Sequence, residues 1–144
     1  MLFRSYEYSK KLTLETYKEF DKRFYDAAQS IFEKNHVHSH PQKNKRNGAF
    51  CCWIGNDKKP YILLNHVNKL NDVFGMTHEF GHGIHDVFMS IQPHLTAHPS
   101  TCMAETASTF GELLLAKKML KDSNNIKEKI FIIIHMLEIG RAHV

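Results

Sequence analysis

This sequence is short of the features that would send it into a membrane or out of a cell. No apolar run exceeds a handful of residues, far below the ~20 that a membrane-crossing helix needs. The N-terminus, MLFRSYEYSKKL, lacks the apolar core of a signal peptide. Cysteine is scarce: Cys51, Cys52 and Cys102 are the only three. Two of them are neighbours, and neighbouring cysteines rarely bridge because disulfide geometry opposes the backbone, so a reducing, cytoplasmic compartment is expected. No repeat, low-complexity segment or linker is visible. Basic residues give a net charge of +4, but the clusters at Lys43–Arg46 and Lys58–Lys59 are neither spread along one helix face nor interleaved with aromatics. They are expected to be solvated loops, which argues against a nucleic-acid partner, and nothing suggests a membrane partner.

What is present is enough apolar sequence, 42% of 144 residues, to bury one core. From Thr13 to Glu33, apolar residues at Tyr17, Phe20, Phe24, Ala27, Ala28 and Ile31 recur at helical spacing, with Thr13 as the expected N-cap. The runs Ala49–Ile54 and Tyr61–Leu64 flank a turn rich in Gly, Asn and Asp, which predicts a β-hairpin. A second helix is predicted over about 71–88 with Asn71 as its cap. The stretch IQPHLTAHPST must break it, and a third helix then starts after Ser100 or Thr101 and runs to about Lys121. A last helix is expected over Ile126–Glu138. The predicted class is mainly α, a helical core with a small β-hairpin beside it.

The second helix carries HEFGH. Residues four apart lie one turn apart on one helix face, so His78 and His82 can present two imidazoles to one Zn²⁺, and Glu79 reaches toward the open side of such a metal as a general base. A catalytic zinc needs a third protein ligand and an open position. Downstream candidates are His85, Asp86, His94, His98, Glu105 and Glu112. The metzincin pattern fails, because position 85 is His and position 88 is Phe. Glu105, on a separate helix, is the better ligand, and Glu112, two turns further on the same face, suits a supporting contact to a ligand. His85 is expected to orient neighbours, and His98 to sit in a loop without an assigned role. His36, His38 and His40 suit a surface loop at least as well as a metal site. Cys51 and Cys52 should point to opposite faces of the hairpin, so joint metal binding is not expected.

Taken together, NGAFCCW, PYILLNH, THEFGHGIH and HPSTCMAETASTFGELLL resemble, in order, the catalytic region of oligoendopeptidase F and its relatives in the thimet oligopeptidase family. The resemblance runs from about Thr13 to Leu120. It implies one zinc per chain held by His78, His82 and Glu105, Glu79 as the catalytic base, and peptide substrates lying against the strand segment Gly48, Ala49 and Phe50. Gly48 could equally just open a strand. The family is cytosolic and cleaves short unstructured peptides inside a channel between two helical halves. Members are several times longer, so residues 1–138 are expected to be part of a catalytic domain whose remainder, including the residues that stabilise the oxyanion, lies elsewhere. The alternative is a fragment that binds zinc without catalysis.

The last six residues, IGRAHV, are also the translation of ATCGGAAGAGCACACGTC, a string from a common sequencing adapter. Residues 139–144 are therefore expected to be a non-native tail on a protein that continues further.

Overall fold

The computed structural model describes residues 3–142, with side chains to 139. The fold is mainly α, as predicted. Among the described residues, helices α1 (Tyr6–Phe20), α2 (Lys22–Glu33), α3 (Leu70–Met89), α4 (Thr101–Asp122) and α5 (Ile126–Ala142) surround a small sheet of β1 (Val37–His38), β2 (Phe50–Cys52) and β3 (Tyr61–Leu63).

The single helix predicted over Thr13–Glu33 is two helices, and it starts earlier. Ser5 caps α1 by accepting from the backbone N–H of Tyr8. Asp21 then adopts an extended backbone (φ −161°, ψ 135°) and its carboxylate accepts from the N–H of Arg23 at 2.7 Å, restarting the chain as α2. An Asp side chain that satisfies the first free N–H groups of a helix competes with continuing the previous one. Thr13 is therefore no cap. It lies inside α1, fully buried, with its hydroxyl 2.9 Å from that of Thr77 on α3.

The hairpin forms as predicted: β2 and β3 pair antiparallel with Phe50 opposite Leu63 and Cys52 opposite Tyr61. The His36–His40 segment is not all loop, because β1 joins β3 in parallel, with the N–H groups of Ile62 and Leu64 donating to His36 and His38. The strand order β1-β3-β2 leaves β2 at an edge.

Helix α3 starts one residue earlier than predicted, and Asn71 does not cap it. The Asp72 carboxylate instead accepts from the N–H groups of Val67 and Lys69, both at 2.8 Å. Ser100 caps α4 through Met103 N–H, as the sequence suggests. Helix α5 runs past Glu138 to Ala142, into the expected tail, whose residues 143 and 144 lie outside the described residues.

Helix α3 is the spine of the core. Met76, Phe80 and Ile84 pack with Tyr17, Ala28, Ile31, Phe32, Ile62 and Leu64, while Leu70, Val73 and Phe74 pack with Leu12, Leu115, Met119 and Ile132. Phe80, in the middle of HEFGH, is fully buried with its ring stacked on Phe32 at 4.4 Å. Burying a Phe side chain contributes about 2–3 kcal/mol. That anchor sets the rotation of α3, and with it the direction in which His78 and His82 face.

Candidate metal centre

With Val73, Phe80 and Ile84 turned to the core, the opposite side of α3 carries His78, Glu79 and His82 into a cleft of about 570 Å³. The two imidazole rings are 4.9 Å apart at 81°. Helix α4 crosses close by and adds Glu105, whose Oε2 lies 3.6 Å from His78 Nε2 and 3.8 Å from His82 Nε2. One ligand atom from each of these three residues falls within 4.8 Å of the others. Three ligands around a tetrahedral ion at ~2.1 Å would sit about 3.4 Å apart, so small side-chain movements bring this set to one ion. The side chains stay partly open to the cleft, Glu105 most of all at 37% exposed. Ser108 Oγ donates to Glu105 Oε2 at 3.1 Å.

Glu112 lies deeper in α4. Its Oε1 is 2.5 Å from His78 Nδ1 and its Oε2 is 2.8 Å from Nε2 of His135 on α5. Burial opposes the charge, but the hydrogen bonds from His135 and His78 outweigh it and hold this carboxyl at about 2. An ionised carboxylate only accepts, so His78 donates to it from Nδ1, and Nε2 is the ring nitrogen that faces Glu105.

Glu79 is buried at the edge of the same cleft. Burial raises its carboxyl to about 7, helped by the charges of Glu105 and Glu112, while His78 and the backbone N–H of Cys51 pull the other way. A carboxyl poised near neutrality suits proton transfer. Burial lowers the imidazole of His82, helped by His78, and that of His85. At His78 burial is outweighed by the hydrogen bond and charge of Glu112, with the charges of Glu79 and Glu105, and the imidazole is raised. His82 thus favours the neutral form a metal requires, and a metal bound at His78 would compete with a proton.

The substrate segment implied by resemblance is split. Ala49 and Phe50 line this cleft, whereas Gly48 (φ +84°), with Ala49, borders a separate cavity formed by Leu64, His66 and Gly75. The far wall of the cleft is built by Trp53, Asp86, Met89 and His98. Trp53 packs against His94 at 5.3 Å and His98 at 5.7 Å, and the Cys51 thiol donates to Asp86 at 3.4 Å. Cys51 packs against the core and Cys52 is exposed, while both border the cleft. His85, Asp86, His94 and His98 stay outside the His78–His82–Glu105 cluster. Sequence reasoning missed His135, which lies in a helix without a motif.

Residues 4–142 match the profile of peptidase family M3. Oligopeptidase PepF of Bacillus subtilis (strain 168) is 33% identical over 97% of this chain and 21% of its own length. The chromosomal oligoendopeptidase F of Lactococcus lactis subsp. cremoris is 33% identical over 96% of this chain and 20% of its own length. A crystal structure from Chlamydophila abortus that carries a peptidase assignment superimposes with a TM-score of 0.86 at 32% identity, over 94% of this chain and 23% of that one. The chain thus spans about a fifth of the length of the curated relatives it matches. A match over nearly the whole described length, with HEFGH and the crossing glutamate inside it, makes this chain a member of peptidase family M3.

Proposed function

We propose that the chain is the zinc-holding part of a metalloendopeptidase that hydrolyses short unstructured peptides. The observation that carries this is the convergence of His78 Nε2 and His82 Nε2 on Glu105 Oε2, with Glu79 beside them. Two imidazoles and one carboxylate opening on a cleft fit a catalytic Zn²⁺ by donor chemistry, and His78, His82 and Glu105 would hold it. When bound, the ion would supply Lewis acidity, polarising a carbonyl and making nearby water more acidic.

The protein's own groups do the rest. Glu79, held by the N–H of Cys51, takes a proton from the attacking water at its carboxylate and passes it to the leaving amine. The free edge of β2 at Ala49 and Phe50 borders the cleft, where an extended peptide could add as a further strand. Glu112 fixes the tautomer of His78.

Among the described residues no helix is long and apolar enough to cross a membrane, and the three cysteines are free; both fit cytoplasmic work on soluble peptides. Because the chain spans about a fifth of its relatives, we take residues 1–138 as part of a catalytic domain and expect the 144-residue chain alone to bind zinc with little or no turnover. Metal analysis with a peptide-cleavage assay tests this. One zinc per chain with negligible cleavage supports it, a chain without affinity for zinc overturns the metal assignment, and brisk chelator-sensitive cleavage overturns the partial-domain assignment.

A further inference from the structure

Glu112 is 7% exposed, and its carboxylate is shared between two imidazoles from different helices. Its Oε1 faces His78 on α3 and its Oε2 faces His135 on α5. As an acceptor-only group it requires both imidazoles to donate. His135 is itself held: its ring lies 4.0 Å from that of Phe74 on α3 and stacks with Phe131 at 6.3 Å. Helix α5 is pinned by the fully buried Ile132 and by Glu128, which takes Arg4 at 2.5 Å and Ser123 at 2.6 Å.

A Glu side chain has three rotatable torsions. Bonding at Oε1 alone would leave the carboxylate free to swing and would leave Oε2 buried without its donor, a costly state. We infer that His135 is a positioning residue. By donating Nε2–H to Glu112 Oε2, it turns the carboxylate so that Oε1 accepts the Nδ1–H of His78, which leaves His78 Nε2 as the nitrogen available to a metal beside Glu105. The site is thus braced by three helices, α3, α4 and α5, and its outermost brace never touches the ligand cluster. This inference rests on the zinc reading above. Loss of an outer partner of a metal-binding His costs roughly 10–100-fold in affinity.

The test uses the purified 144-residue chain with Zn²⁺ as the probe, competed against a chromophoric chelator. His135→Gln places an amide N–H₂ near the position of the imidazole Nε2 and is expected to keep zinc affinity within about 3-fold of the parent. His135→Asn is too short to reach Glu112 and is expected to bind about 10-fold more weakly. A packing role alone would make the two amides behave alike. In the zinc-free parent, at a pH high enough for His78 to be neutral, proton–nitrogen NMR should show its Nδ1–H tautomer, lost in His135→Asn and kept in His135→Gln.

Equal affinities for parent and a folded His135→Asn overturn the inference alone. So does weak binding by a folded His135→Gln, or a parent whose His78 carries its proton on Nε2, a readout that needs no variant. A parent that takes up no zinc sinks the metal assignment, and this inference with it.

Discussion

A methyl group on Gly81 would lie 2.7 Å from the carbonyl oxygen of Ala107. Helices α3 and α4 therefore touch backbone to backbone inside HEFGH, and this close approach is what brings Glu105 across to the two histidines. Gly81→Ala must push the helices apart. It is expected to cost about 1–3 kcal/mol in stability and to weaken zinc binding as well. Gly75 has nothing within 4 Å of the same position, so Gly75→Ala should stabilise by roughly 0.5–1 kcal/mol through helix propensity. Denaturant melts of both variants check this, and equal effects would contradict the close approach.

Glu105 and Glu112 should separate by zinc affinity. Glu112→Ala leaves the ligand set intact and should weaken binding by about 10–100-fold. Glu105→Ala leaves two imidazoles alone and should lose more than that. Chelator competition measures both, and equal losses would mean that the two carboxylates have been given the wrong roles.

In a chain completed to the length of its relatives, Glu79→Gln should keep zinc and lower peptide turnover by about 10²–10⁴-fold, because an amide has the shape of the carboxyl but cannot take its proton. Metal content and kcat are the paired measurements. Turnover near the parental rate would remove Glu79 from the base role.

Asp86 should leave a mark on stability against pH. Burial raises its carboxyl to about 6, against weaker opposing effects from Cys51 and His98. A folded value above the unfolded one means that stability is fully present below about pH 4 and is lost as pH rises through about 6. Solvent reaches part of the group, so the expected loss is discounted to about 1–2 kcal/mol. Asp86→Asn should flatten this component in urea melts taken from pH 4 to 7, and an unchanged slope would show that the carboxyl ionises freely in the folded state.

The sequence alone determined what depends on local spacing. Residues four apart on a helix share a face whatever surrounds them, so His78 and His82 were legible as a pair. The Gly-Asn-Asp turn between two apolar runs specified the β2–β3 hairpin, and Ser100 marked the start of α4 because its hydroxyl meets the free N–H groups of the next turn. Only the tertiary structure decided the rest. The break at Asp21 depends on a side chain capping its own successor, while periodicity continues across it without a gap. Strand β1 exists because β3 lies beside it, and Thr13 is buried because α3 brings Thr77 to meet it. His135 sits 23 residues from Glu112 in a helix with no motif, and no short-range pattern records a hydrogen bond that forms only when α5 packs against α3 and α4. Local periodicity encodes which side chains share a face; which faces meet is set by how the buried surfaces of all the helices fit together.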